Sequence, residues 1–238
     1  MNEDKKNIEM NIADVIMERP YGFQIDDQQF FLYPVTLGKT YLISRLMEEL
    51  NINKEIISVN PYLEAIRLCE SKKDTVCRIL AYHTIDKKEN LLNNAVVEKR
   101  CNFFIKKLST EEMAQILVIV LTNSNVDAFI KYLGIDYDKR ELAKISKIKN
   151  RNGNSIFFGG KSVFGSLILP ACEKLNMTPR QVVWDISYSF LQMLMADAIT
   201  SVYLTDEEKK ESRISTDGVF INADDPENMA KIKAMKWD

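Results

Sequence analysis

Apolar positions recur along this chain at spacings of three and four, the period of helices with one face turned to a core. The strongest run lies at 178–203. Thr178 is a favoured N-cap residue, and Pro179 fits the first helical position, where a missing amide proton costs nothing. Gln181 stands three residues after the cap, where its side chain reaches back to the cap amide. No Gly or Pro interrupts the chain from there to Tyr203, so one long helix is predicted. Gln181, Asp185, Ser189, Gln192, Ala196 and Thr200 form one small or polar stripe on it, and the remaining circumference is apolar. So wide an apolar arc belongs to a helix packed on several sides, or to one packed on some sides and offered to a partner on another.

The rest of the chain reads as shorter elements. Residues 1–10 read as frayed, with a short helix at 12–17. The segments 23–25 and 30–33 flank the polar turn Asp26, Asp27, Gln28, Gln29 and predict a hairpin that Pro34 closes, packed most simply on a helix at 36–50. After a connector at 51–58, Asn60 and Pro61 open a helix to about residue 82, and another follows at 89–108. Ser109 and Glu112 form a capping box for a helix at 113–121. Asn123 or Ser124 caps 126–133, Gly134 ends it, and Asp136 caps a helix carrying Lys139, Arg140, Lys144, Lys147 and Lys149. Residues 151–160 hold three of the eight glycines and read as a hinge or exposed loop before a helix pair in which Pro170 predicts a kink. Beyond 204 come a charged stretch, a turn at Asp217 and Gly218, a short strand at 219–221 and a last helix opened by Asp225 and Pro226. The predicted fold is mainly α, a multi-helix bundle with a small N-terminal β-hairpin. Its regions are 1–58, 59–150, 151–204 and a charged tail at 205–238.

Composition supports this picture and removes several functions. With 46% hydrophobic residues in 238, the chain can bury a sizeable core. Thirty-two basic residues against 34 acidic ones leave no charge excess to attract nucleic acid. The basic face from Lys139 to Arg151 is diluted by Glu141, Asp136 and Asp138 and has no interleaved aromatics, so a solvated helix face is its simplest reading. Cys69, Cys77, Cys101 and Cys172 lack paired spacing and sit in apolar helical contexts, as reduced buried thiols do. The N-terminus is polar, and the run 116–121 falls far short of the roughly 20 apolar residues of a membrane span, so a soluble cytoplasmic protein is expected.

A single histidine, His83, leaves little for a Ser–His–Asp or Cys–His site, and its place at a helix end predicts a capping or surface role. The run Phe158, Gly159, Gly160, Lys161, Ser162 echoes a phosphate loop, but Ser155 occupies the position of the first required glycine. No enzyme, cofactor or metal is therefore expected.

The layout resembles the tail assembly chaperones of long-tailed bacteriophages, of the kind found in phages and prophages of Bacteroides-like hosts. The residues that carry the likeness are the hairpin at 23–33, the segment Phe129 to Gly134, and Leu167, Ile168, Leu169, Ala171, Cys172 and Glu173. Above all they include Trp184, followed seven residues later by Leu191, Gln192, Met193, Leu194, Met195, Ala196 and Asp197. The resemblance implies a non-enzymatic protein of the host cytoplasm that binds the helical tape measure protein and helps recruit tail tube subunits. Methionine and aromatic side chains suit irregular apolar helices, which makes Trp184, Tyr188, Leu191, Met193 and Met195 the candidate partner-binding residues. The alternative is a small helical regulatory or nucleic-acid-associated protein that uses the Lys139–Arg151 basic face.

Overall fold

The computed structural model of this protein describes residues 3–122, 126–151, 161–198 and 202–212. It is mainly α: fourteen α-helices and one two-stranded antiparallel hairpin among the described residues. The N-terminus is more regular than its sequence predicts, with α1 running over Glu3–Ile16. The hairpin pairs β1 (Tyr21–Ile25) with β2 (Gln28–Leu32), Phe23 opposite Phe30, around a tight turn in which Asp26 takes a positive φ of 50°. Asp tolerates that conformation better than most residues.

Then come α2 (Leu37–Leu50), capped by Thr36, and α3 (Lys54–Val59), capped by Asn53. The second of these replaces the predicted connector: the Asn53 side chain accepts from the amides of Glu55 and Ile56 and nucleates a turn and a half. The predicted helix at 61–82 is two, α4 (Pro61–Ser71) and α5 (Lys73–His83), broken at Lys72. Likewise α6 (Lys88–Leu91) and α7 (Asn94–Lys107) replace the one at 89–108, because Asn93 caps the second. The Ser109–Glu112 capping box opens α8 (Thr110–Thr122) as expected. Next is α9 (Val126–Tyr132), then Gly134 at φ +75°, and α10 (Ile135–Arg151) starts directly from it, so Asp136 lies inside that helix rather than capping it. The cap expected at Asn123 or Ser124, the loop at 152–160 and the predicted elements at 219–221 and beyond lie outside the described residues.

The helix expected to contain Pro170 changes character just before it. A π-helical turn, Phe164–Ile168, precedes α11 (Leu169–Leu175), absorbing the proline's missing amide and its clash with the preceding turn. The long helix predicted at 178–203 is also two: α12 (Pro179–Trp184), with the full Thr178–Gln181 capping box, and α13 (Tyr188–Ala196), capped by Ser187. The last described helix is α14 (Asp206–Ser212).

The described parts of Met1–Tyr137 and Phe157–Thr200 form one compact unit, and those of Asp138–Ile156 and Ser201–Asp238 another. In the first, a single large core joins the hairpin to α4, α5, α7 and α8, so residues 1–58 and the middle region share their interior. Phe30 centres it, with ring centroids 5.7 Å from Phe23, 5.4 Å from Phe103 and 5.5 Å from Phe104. The hairpin therefore docks on α7 through Phe30 and on α5 through β2, in a core that α2 also enters with Leu50. A Lys107–Asp26 ion pair at 2.7 Å fastens its turn there. Glu64 adds a buried link: its carboxylate takes two hydrogen bonds from Arg67, at 2.6 and 2.8 Å, and one from the Asn53 amide at 2.7 Å. The Arg67 bonds hold its carboxyl pKa below the usual glutamate range. In the second unit, Thr205 and Glu208 make a further capping box, and Glu208 pairs with Lys149 at 3.3 Å.

Candidate functional site

The break between α12 and α13 organises the region where the sequence places a binding face. Ser187 caps α13 with its hydroxyl, which accepts from the Phe190 amide. Its backbone forms an isolated antiparallel bridge with Thr36, the Tyr188 amide donates to the Val35 carbonyl at 2.7 Å, and the Ser187 amide donates to the Glu18 carboxylate. Tertiary partners thus take over bonds that an unbroken helix would have supplied to itself. Just before the break, the Trp184 ring lies flat against Gly38, so close that a Cβ there would stand 2.8 Å from three ring carbons. The Lys88 ammonium sits 5.1 Å from the same ring.

The five candidate residues do not form one face. Trp184 packs half-buried on the large core, and Tyr188 and Met195 lie half-buried around a smaller one. Leu191 is sealed inside that smaller core, with Leu37, Ile168, Ala171, Val182 and Ile186. Met193 is buried in a third cluster, with Val126 and Phe129, against Ile8 and Ile12 of α1. Leu191 and Met193 are therefore interior residues in this conformation, and Trp184, Tyr188 and Met195 keep partial access. Within α13 the helical period places Met193 away from the side shared by Tyr188, Leu191 and Met195, so the two interior residues enter different clusters.

Two buried groups went unread in the sequence. His83 is not a surface or capping residue but 6% exposed, at the end of α5, where its carbonyl accepts from the Tyr33 amide at 2.9 Å. Its Nε2 has no hydrogen-bond partner among the described residues. Burial, reinforced by the nearby Lys39 charge, pushes its pKa down to about 3, so the ring is neutral at physiological pH. Lys39 is 2% exposed near the start of α2, with its ammonium 5.8 Å from the centre of the Tyr33 ring. Burial lowers its pKa to about 8, with the Asp86 charge opposing the shift. Both positions were legible in principle. His83 falls on the helical stripe of Val76, Ile79 and Leu80, and Lys39 on that of Ile43, Leu46 and Leu50.

Two cavities adjoin here, of about 580 and 560 Å³, and Val35, His83, Val120 and Ser189 line both. Asn11, Asp14, Arg19 and Thr122 give the first a partly polar lining, while Ile43, Met47, Val126 and Tyr188 give the second a largely apolar wall. Volumes of this size suit small molecules or the side chains of a docked segment.

Other chemistry is sparse. Cys69, Cys77 and Cys101 are buried and Cys172 half-buried, all as free thiols. Burial raises the Cys69 and Cys77 pKa values to about 11 and 12, too high for a reactive thiolate at neutral pH. Among the described residues, no group of His, Cys, Asp and Glu is arranged to hold a metal ion, and no single helix is long and apolar enough to cross a membrane. On the basic face of α10, Lys144 pairs with Glu141 and Lys149 with Glu208. Against known proteins, the chain matches no family model, no curated relative and no solved structure.

Proposed function

We propose that this protein is a non-enzymatic, partner-binding helical protein of the tail assembly chaperone kind, which covers apolar stripes of a helical tape measure protein and aids assembly of tail tube subunits around it. One observation carries this reading: the apolar layer built by the π-turn, α11, α12 and α13 is thin. Its core holds six buried residues ringed by ten only partly buried apolar ones, among them Tyr188, Phe190, Leu194 and Met195. Phe164, at the start of the π-turn, and Leu169, at the start of α11, are 69% and 55% exposed. Incompletely covered aromatic and aliphatic side chains on adaptable short helices suit the irregular apolar surface of a partner helix. The resemblance centred on Trp184–Asp197 supplies the identity of that partner, the tape measure protein.

Co-expression with the tape measure protein tests it. The partner's soluble fraction is expected to rise with this chain present and to fall back with a Phe164→Asp, Leu169→Asp double variant that keeps its helical circular dichroism. A tape measure protein equally insoluble with and without this chain ends the proposal.

A further inference from the structure

The outer edge of β2 carries backbone groups that the fold does not use. Counting back from the turn at Asp26 and Asp27, Ile25 with Gln28, Phe23 with Phe30 and Tyr21 with Leu32 exchange the ladder bonds, so the N–H and C=O groups of Gln29 and Phe31 point away from β1. Tyr33 follows the same alternation: its amide, next in the outward row, donates to the His83 carbonyl at 2.9 Å. Among the described residues, nothing bonds to the outward groups of Gln29 and Phe31. Natural sheets ordinarily blunt such an edge with Pro, Lys or a covering segment, and here the exposed, uncharged Gln28 and Gln29 stand in their place.

A third cavity, of about 440 Å³, lies along this edge, lined by β2 from Gln28 to Phe31 and by Tyr33, Thr84 and Arg100. No residue of β1 lines it, which places it on the outer side of β2. Arg100 reaches it from α7. Its half-buried guanidinium stands 5.0 Å from the centre of the Phe30 ring and makes one long hydrogen bond, of 3.5 Å, to the Thr84 carbonyl. Among the described residues it has no ion pair, whereas Arg78 and Lys107 each hold a carboxylate. A guanidinium presents its N–H donors in a planar fork that matches a carboxylate, so most of the bonding capacity of Arg100 is left over beside the open edge.

The two features together select an occupant. Side chains of an added strand alternate between the faces of the sheet. Phe30 points into the core with Arg100 beside its ring, and Phe31 points to the opposite face, its ring centre 6.3 Å from that of Tyr33. A residue laid opposite Phe30 therefore turns its side chain toward Arg100, and a neighbour opposite Phe31 meets an aromatic surface. The edge is short, since Gln29 to Phe31 rises only about 7 Å and Tyr33 is already bonded, so the ladder needs the charge as an anchor. A free carboxylate leaves the edge amides unpaired, and an uncharged strand leaves Arg100 unpaired; an acidic extended peptide answers both.

We propose that the outer edge of β2 takes up an extended segment of a partner protein as a third strand, with an acidic side chain of that segment paired to Arg100 and an adjacent apolar side chain on Phe31 and Tyr33. The interaction is separate from the exposed layer of α11–α13 and stands or falls independently of the tape measure reading.

Titration of the ¹⁵N-labelled full chain with the capped peptide acetyl-Thr-Val-Glu-Phe-Thr-amide, up to millimolar concentration, is expected to shift the Gln29 and Phe31 amide signals and the Arg100 Nε signal saturably. Glutamine in place of the peptide's glutamate is expected to weaken binding roughly tenfold, the loss of one charge-assisted contact. N-methylation of the peptide's Val, Glu and Phe amides keeps the charge but removes the ladder donors, and is expected to abolish the shifts. Gln29→Pro removes an outward amide that the hairpin does not use, and is expected to abolish binding with helical circular dichroism retained. Arg100→Gln is expected to bring the glutamate and glutamine peptides to equal affinity. The peptide comparisons need only the wild-type chain and decide the outcome if either variant unfolds. No shift with the glutamate peptide, an N-methylated peptide that binds as tightly, or a glutamine peptide that binds as tightly as the glutamate one overturns the proposal.

Discussion

Gly38→Ala isolates the contact between α2 and Trp184. In an ordinary helix the exchange is favourable by about 0.5–1 kcal/mol, because alanine has less backbone freedom to lose on folding. At this position the new methyl carbon would stand 2.8 Å from Cδ2, Cε2 and Cε3 of the Trp184 ring. Carbon atoms settle at about 3.5–4.0 Å, so the ring must withdraw by roughly 1 Å. Lys88 lies 5.1 Å from the ring, and the ring itself packs on the large core, so withdrawal disturbs both contacts. Overpacking of this kind costs about 1–3 kcal/mol. Set against the helix gain, a net loss of about 1–2 kcal/mol is expected. Urea unfolding followed by far-ultraviolet circular dichroism reads it as a lower midpoint at unchanged slope. In a Trp184→Ala background the clash disappears and the sign reverses, so there Gly38→Ala stabilises. A Gly38→Ala midpoint at or above wild type, or the same sign in both backgrounds, refutes the contact.

The other predictions concern buried ionisable groups. Folded His83 takes a proton only near pH 3, whereas its ordinary value is 6.5. The unfolded chain therefore binds the extra proton between those limits, and stability falls as pH drops from about 6.5 toward 3; His83→Leu is expected to flatten that part of a urea-midpoint profile. The folded Lys39 value of about 8, against 10.5, makes stability fall as pH drops from 10.5 to 8, with the full penalty present below 8. Lys39→Met removes that slope and is expected to raise stability at pH 7 by about 1–3 kcal/mol, read by the same midpoint. Glu64 has the opposite sign. Its depressed value adds stability that is complete above 4.5 and is shed as pH falls through the folded value. Glu64→Gln, which weakens the bonds to Arg67 and the Asn53 amide, is expected to cost about 1–3 kcal/mol at neutral pH by urea unfolding and to remove that acid sensitivity.

Much of the fold was legible because its signals are local. Thr36, Asn60, Ser109 and Thr178 each start a helix where a side-chain oxygen can satisfy a free amide, and the alternation around Asp26 marks the hairpin. The candidate site was legible only in part. Trp184, Tyr188 and Met195 retain access, whereas Leu191 and Met193 are interior, covered by residues distant in the sequence such as Leu37 and Ile8. Ser187 offers a cap of its own, yet nothing near it in the chain reveals that Val35, Thr36 and Glu18 would take its neighbourhood's backbone bonds.

The chain's local chemistry determined the helical class, the hairpin and most helix starts, since a cap, a proline or an apolar stripe acts within a few residues of itself. Tertiary structure alone decided that the hairpin docks on α7, that Trp184 rests on Gly38, and that Lys39 and His83 are both buried. Burial and proximity depend on residues distant in sequence, and an apolar stripe tells a helix to bury one face without naming the partner that will cover it.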